Sequence, residues 1–240
     1  MTVDEKRYSC AHVVPIEQEP RHHLVIENEF VRAFVVEIAP HDRTLCHHHA
    51  HDYLLFVVGD AEIISAARDE APKKLSYRDG ECELLQAGMV HVVENLGDTA
   101  FRNVVVELLP GTGSLRRGDE PKLISGEASI TEHFADEHAA IFMIAMDAGS
   151  EVQVHGRLVV ASPYEHEVEL EDFRGDAVKL SEFNYIAWLW SPLKATLRNI
   201  GDSPAKAVLF QIGRADEELL LVQKQVEPTK SLRTHADETE

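Results

Sequence analysis

The sequence predicts an all-β protein made of two tandem barrels. Three observations lead to this prediction: many short apolar segments bounded by turn residues, no long amphipathic helical pattern, and a motif that recurs about one barrel length further along the chain. The chain has 240 residues, of which 44% are hydrophobic. This is enough to bury one large β domain or two small barrels of about 100 residues each.

The predicted strands are short segments rich in Val, Ile, Leu and Phe. In the first half they are HLVIENEF, VRAFVVEIA, YLLFVVGDAEII, ECELLQA, VHVVENL and FRNVVVELL. Turn residues such as Arg78-Asp79-Gly80 and Gly97-Asp98 separate them. Frequent turns between short strands favour a sandwich or barrel over alternating βα units.

The second half repeats this organisation. Asn95-Leu96-Gly97-Asp98-Thr99 corresponds to Asn199-Ile200-Gly201-Asp202-Ser203, a displacement of 104 residues, and an apolar run follows each. A duplicated barrel is the simplest explanation. The breaker-rich segment 110–121 is the predicted linker. We therefore expect an N-terminal barrel at 20–115, a C-terminal barrel at 122–215 and a flexible acidic tail at 227–240.

Charge and composition exclude several classes of partner. Lys and Arg number 23 and Asp and Glu 42, which gives a net charge of −19. An acidic chain repels phosphate backbones, so no nucleic-acid partner is expected. No apolar run approaches the roughly 20 residues that span a bilayer, so no membrane association is expected.

The cysteines give an expectation about redox state. Cys10, Cys46 and Cys82 are odd in number, far apart and outside any CxxC pattern. They are therefore interpreted as reduced thiols, with Cys46 as a packed small residue, and a cytoplasmic location follows.

A histidine-rich string precedes the strand YLLFVVG and is the strongest local pattern. It reads Cys46-His47-His48-His49-Ala50-His51-Asp52. Alternate side chains of a strand share a face, so His47 and His49 would point into one cavity. Two imidazoles at this spacing form half of a metal site, and a distant segment must supply the rest. The alternative is a solvated loop that binds metal adventitiously.

The segment 80–95 supplies the distant donor and resembles the second sequence motif of the cupin superfamily. That motif is Gly, five residues, then PxGxxHxxxN, and Gly80, Gly88, His91 and Asn95 match it, with Gln86 in the position of the proline. His47-x-His49 resembles the HxH of the first motif. The resemblance implies a double-stranded β-helix, the cupin jelly-roll barrel, with a metal inside.

The fourth ligand is open at this point. Asp52 lies at the right distance from Gly59 to take the place of the family's glutamate, although its interval from His49 is shorter. His51 is the alternative ligand. The predicted metal ligands are thus His47, His49, His91 and either Asp52 or His51, and the expected cofactor is a divalent ion: iron, zinc, manganese or nickel.

The resemblance implies function only broadly. Cupins similar to this chain include dioxygenases, isomerases, decarboxylases and lyases, and a dioxygenase-like enzyme for a small oxygen-bearing molecule is the first hypothesis. A non-catalytic protein with a structural or ligand-holding metal is the second. Ala195 stands where the second half would carry a histidine, so no metal is expected there. Exposed barrel edges favour a homodimer.

Overall fold

The computed structural model describes residues 8, 10–115, 120–164, 166–172, 174–180 and 186–213. The predicted tail at 227–240 lies outside these residues. Contacts divide the chain into two units, unit 1 at Met1–Pro110 and unit 2 at Gly111–Glu240. In the described part of the chain, no helix is long and apolar enough to cross a membrane.

Unit 1 contains two five-stranded sheets. A short 3-10 helix at Ile16–Gln18 lies between its first two strands. The first sheet has the order β1-β4-β9-β6-β7 and the second β2-β3-β10-β5-β8. The strands are β1 (Val14–Pro15), β2 (His22–Glu27), β3 (Val31–Ile38), β4 (His47–His48), β5 (Tyr53–Val58), β6 (Ala61–Ala67), β7 (Lys73–Tyr77), β8 (Cys82–Leu85), β9 (Val90–Asn95) and β10 (Phe101–Leu108).

Alternation along these strands builds the core of unit 1. On β10, for example, Phe101 and Val105 point to the barrel interior and join the main apolar cluster. That cluster also takes Phe34 and Val36 from β3 and Leu55 from β5. Facing sheets therefore bury one apolar face each, as the period-2 pattern of the sequence predicts.

Unit 2 forms a single described sheet of eight strands. Its order is β12-β13-β18-β14-β17-β15-β16, and β11 pairs with β14. The strands are β11 (Lys122–Ser125), β12 (Ala128–Ala135), β13 (Ala139–Met146), β14 (Glu151–Ala161), β15 (Val168–Glu171), β16 (Ala177–Leu180), β17 (Ile186–Asn199) and β18 (Ala205–Ile212).

The repeated Asn-x-Gly-Asp motif forms the same hydrogen-bonded turn in both units. Asn95 Nδ2 donates to the carbonyls of Ile38 and Thr99, and its Oδ1 accepts from the Gly97 N–H. Asn199 Nδ2 likewise donates to the carbonyls of Met146 and Ser203, and its Oδ1 accepts from the Gly201 N–H. Both asparagines are buried, so each repeat ends its strand with the same polar anchor.

The interpretation of Cys10 and Cys46 as reduced thiols is wrong. The two residues form a disulfide with a Cα–Cα distance of 5.4 Å. The pairing was not visible in the sequence because it depends on β1, which pairs in parallel with β4 and brings the N-terminal segment alongside Cys46. Reduced thiols therefore give no support to a cytoplasmic location.

A thiol count tests the disulfide. The chain has three cysteines, and Cys82 is free. We expect the unfolded, unreduced protein to react with one equivalent of a thiol-alkylating reagent and the reduced protein with three, as measured by intact mass. Three equivalents without reductant would contradict the disulfide.

The asparagine anchor of unit 2 predicts a stability effect. Asn199→Ala leaves buried carbonyls without their donor, so we expect it to lower the free energy of unfolding by about 1–3 kcal/mol. Both tryptophans of the chain, Trp188 and Trp190, belong to β17, so their fluorescence during urea unfolding reports on this unit. Asp202→Ala, an exposed change in the same turn, should leave the midpoint unchanged. Equal midpoints for the two variants would contradict the anchor.

Candidate metal centre

Strand pairing brings histidines from three separate segments into the interior of unit 1. His47 on β4 lies opposite His91 on β9 in an antiparallel register, and His49 follows β4 directly. His22 begins β2 in the other sheet. All four side chains are buried, and His47 is fully inaccessible to solvent.

The four imidazoles form a compact cluster. His47 Nε2 lies 3.0 Å from His91 Nε2, and the ring centroids of His47 lie 4.6 Å from His22 and 5.1 Å from His49. One ligand atom each of His22, His47 and His49 lies within 4.8 Å of the other two, and this trio could hold a metal ion. The structure therefore brings together three predicted residues, His47, His49 and His91, and adds His22.

Hydrogen bonds to the Nδ1 atoms orient three of the rings. His47 Nδ1 lies 3.0 Å from the Leu45 carbonyl, which accepts its proton, and His91 Nδ1 lies 3.3 Å from Ser65 Oγ. His22 Nδ1 lies 2.8 Å from Glu19 Oε2. When Nδ1 is engaged in this way, Nε2 is the atom left to act as a ligand.

Glu19 is a buried carboxylate that supports His22 and the segment before β4. It accepts hydrogen bonds from the backbone N–H groups of Arg21 and Leu45, at 2.7 and 3.1 Å. Burial alone would raise the pKa of Glu19, but the bond and charge of His22 together with these N–H groups lower it to about 2. Glu19 therefore links β2 to β4 as a carboxylate.

Glu107 lies beside His49, as Glu19 lies beside His22. Its Oε1 lies 3.9 Å from His49 Nδ1, and its Oε2 lies 2.7 Å from an Arg32 guanidinium nitrogen. The distance to His49 is too long for a hydrogen bond, and among the described residues His49 Nδ1 is a buried atom without a hydrogen-bond partner. The ring of His49 instead stacks on Tyr53, with centroids 3.9 Å apart.

Burial keeps three of the clustered imidazoles, those of His47, His49 and His91, neutral. Desolvation, together with the nearby His22, lowers the pKa of His47 to about 4. Desolvation and the neighbouring histidines also lower the pKa values of His49 and His91. Neutral imidazole is the form that binds metal ions, so no proton has to be removed from these rings at neutral pH.

The residues present fit a divalent metal ion. The 3.0 Å between the Nε2 atoms of His47 and His91 is the separation expected of two ligands that each lie about 2.1 Å from one ion at a right angle. Imidazole donors suit zinc, iron and nickel, and the oriented Nδ1 atoms provide the outer hydrogen bonds usual around metal-binding histidines. Ligation itself stays a prediction.

The two candidates for a fourth ligand lie outside this cluster. Asp52 is exposed, and its Oδ1 accepts a hydrogen bond of 2.7 Å from the Ala87 N–H. His51 is half-buried, and partial burial together with Arg32 lowers its pKa. The short interval between His49 and Asp52 explains this placement, because the chain turns outward at Ala50 before β5 begins.

His22 was missed by the sequence reasoning. Its only local signal is its position at the start of an alternating apolar strand, where a buried histidine usually has a structural role. What places it in the cluster is the pairing of β2 with β3, in which His22 lies opposite Val36. This register is not readable from the residues around His22 alone.

A cavity of about 250 Å³ opens beside the cluster inside unit 1. Three of the histidines line it: His22, His49 and His91. Its other walls are mainly apolar, from side chains such as Leu55, Ile63 and Phe101. The cluster is therefore placed where a small molecule inside the barrel would contact it.

Unit 2 has apolar packing at the corresponding position. Ala195, four residues before Asn199, is buried and pairs with Val154 of β14. Both residues belong to the apolar core of unit 2. The repeat thus retains the asparagine turn and carries no histidine where His91 stands in unit 1.

The chain has the fold of two tandem jelly-roll barrels, and the solved structures that share this fold include a cupin barrel protein. Neither the comparison with family models nor that with curated proteins gave a match. Solved structures do match over most of the chain, and at these identities they establish the fold alone.

Three of these structures illustrate the range of similar proteins. Vicilin from Solanum lycopersicum has a TM-score of 0.59 at 14% identity, covering 78% of this chain and 76% of its own. AerE from Microcystis aeruginosa has a TM-score of 0.56 at 15% identity, covering 80% and 96%. Salicylate 1,2-dioxygenase from Pseudaminobacter salicylatoxidans has a TM-score of 0.54 at 11% identity, covering 84% and 78%.

Metal content distinguishes His22 from Asp52 as the fourth ligand. We expect protein purified without a histidine tag to hold about one divalent ion per chain, measured by elemental mass spectrometry. Because their rings belong to the cluster, His22→Ala, His47→Ala and His91→Ala should each lower metal affinity at least tenfold. Asp52→Ala is the matched control and should retain the ion. Loss of metal in Asp52→Ala with retention in His22→Ala would contradict the four-histidine site.

Proposed function

We propose that unit 1 is a metal-dependent enzyme that acts on a small oxygen-bearing organic molecule, with a dioxygenase-like reaction as the first hypothesis. The observation that carries this proposal is the buried histidine cluster, three of whose rings form part of the wall of an internal cavity. A metal site that faces a cavity can contact a substrate, whereas a purely structural site has no such requirement.

The proposed cofactor is a divalent ion held by His47, His49, His91 and His22. Such an ion would supply Lewis acidity toward a substrate oxygen or, if it is iron, the capacity to activate dioxygen. Zinc, manganese and nickel remain candidates because imidazole donors accept all of them.

The protein's own contribution is orientation and exclusion of water. The Leu45 carbonyl, Ser65 and Glu19 hold three of the rings through Nδ1. Tyr53 packs flat against His49, and its hydroxyl donates to Met89 Sδ at 3.4 Å. Apolar walls lower the local dielectric, which strengthens any charge interaction between the site and a bound substrate.

A non-catalytic role is the second candidate, and one observation favours it. Four imidazoles can supply four protein ligands, and sites closed by four protein ligands are typical of structural metal sites. The range of similar structures, from a vicilin to a dioxygenase, is compatible with either role. In this case the ion would help to hold a ligand or would stabilise the barrel.

Oxygen uptake separates the two candidates. We expect protein loaded anaerobically with ferrous iron to consume dioxygen when mixed with at least one member of a panel of small carboxylates, phenols and enols, measured with an oxygen electrode. His47→Ala should reduce the rate at least 100-fold because it removes a ligand. Asp52→Ala, an exposed change outside the cluster, should react at the wild-type rate.

The opposite result would identify a binding protein. Compounds that change the electronic spectrum of cobalt-loaded protein without being consumed with iron, manganese, nickel or zinc would contradict the enzyme proposal. They would support the ligand-holding role instead.

A further inference from the structure

Asn103 is a polar side chain in an otherwise apolar part of the cavity wall. It lies on β10 between Phe101 and Val105, and all three residues line the cavity. Asn103 is only 3% exposed. A buried amide at such a position normally has hydrogen-bond partners, because leaving it unpaired costs about 1–3 kcal/mol.

No hydrogen bond joins the Asn103 side chain to a described residue, and its amide atoms are not among the fully buried unpaired polar atoms of unit 1, so the amide is open to the cavity. Asn103 pairs through its backbone with Val36 on one side and Val57 on the other, and both side chains are apolar. Asn95 and Asn199 differ from Asn103 because their side-chain amides form the hydrogen bonds that close turns. Asn103 therefore has no structural task comparable to that of the other buried asparagines in the barrels.

The register places Asn103 in the same cross-strand row as His22. His22 pairs with Val36, and Val36 pairs with Asn103, so the two polar residues are two strands apart in one sheet. Neighbouring strands lie about 4.8 Å apart, which puts the two backbones roughly 10 Å apart. A molecule no larger than a single ring with one or two substituents spans that distance between side chains.

The side chains around the proposed ion determine which charge a molecule bound in the cavity should carry. All four clustered side chains are imidazoles, and imidazole binds a metal ion as a neutral ligand. The carboxylate of Glu107 is already paired with Arg32, and that of Glu19 with His22 and Arg21. A bound divalent ion would thus keep its charge and attract an anionic oxygen.

We propose that Asn103 is a specificity-determining residue and that the cavity binds small, mainly apolar organic anions with a second polar group. The anionic oxygen is directed to the histidine cluster, the apolar body contacts Leu55, Ile63 and Phe101, and the second polar group hydrogen-bonds to the Asn103 amide. This inference rests on the proposed function, since it uses the same cavity and the same ion.

Matched ligand pairs test the proposal by binding rather than by activity. The probes are 3- and 4-hydroxybenzoate and their isosteres 3- and 4-methylbenzoate, with 3-hydroxybenzamide as the uncharged control. Dissociation constants for zinc-loaded protein are measured by isothermal titration calorimetry. We expect at least one hydroxybenzoate to bind tenfold or more tightly than its methyl isostere, because a hydrogen bond to a buried amide replaces an unpaired group.

The variant Asn103→Leu should reverse this preference. Leucine has the same branched skeleton as asparagine, with two methyl groups in place of the amide oxygen and nitrogen and no hydrogen-bonding group, so the methylbenzoate should become the tighter ligand of the pair. Ser76→Leu, an exposed change on β7, is the control and should keep the wild-type ratio. Both variants should retain the wild-type metal content, because neither residue belongs to the histidine cluster.

The outcomes separate this inference from the function on which it rests. Absence of metal in the wild-type protein would overturn the proposed function. Metal retained with no binding of any benzoate, or with 3-hydroxybenzamide binding as well as 3-hydroxybenzoate, would overturn the substrate class alone. An unchanged hydroxyl-to-methyl ratio in Asn103→Leu would overturn the role of Asn103.

Discussion

The pairing of His47 with His91 across β4 and β9 is the contact on which the rest of the site depends. β4 is a strand of two residues, and its register with β9 sets which of the clustered histidines face the interior. The adjacent loop is fixed by two backbone bonds, from His49 N–H to the Met89 carbonyl and from Gly88 N–H to the His49 carbonyl. A slip of one residue would turn His48 inward and His47 and His49 outward.

Glycine has a specific role in holding this register. Gly88 has a φ of +89°, a left-handed conformation that any residue with a Cβ adopts only with strain. This turn aims the Gly88 N–H at the carbonyl of His49 and starts β9 at the position that sets His91 opposite His47. The glycine of the sequence motif is thus part of the geometry of the metal centre, although it contributes no ligand.

The sequence predicted the part of the site that is encoded locally. His47 and His49 alternate on one short segment, and His91 stands at a fixed interval from Gly88 and Asn95, so spacing was enough to find them. His22 depends on the register of β2 against β3, and the Cys10–Cys46 disulfide on the parallel pairing of β1 with β4. Long-range pairing of this kind leaves no trace in the spacing of nearby residues.

Cys46 illustrates which structural features the local sequence can predict and which it cannot. Alternation along a strand sends adjacent side chains to opposite faces, and Cys46, next to His47, lies in a separate cluster with Tyr8, Ile64, Ala66 and Val92. Its covalent partner came from a segment with no strand pattern of its own. The direction in which a side chain points can be predicted from its strand, but the residue that it contacts depends on the whole fold.

The two units indicate which residues the barrel needs in order to fold and which serve a site. Asn95 and Asn199 make the same bonds, so the turn belongs to the architecture. At the position of His91, unit 2 has Ala195, packed among apolar residues such as Val152 and Leu197. Hydrocarbon can therefore fill the position of His91 in this barrel, although unit 2 buries other polar side chains such as Arg157 and Gln211. Burying four imidazoles in unit 1 and placing the Asn103 amide at an apolar cavity wall cost desolvation free energy that packing alone would not require. That cost is the physical reason for assigning these residues to binding and chemistry rather than to folding.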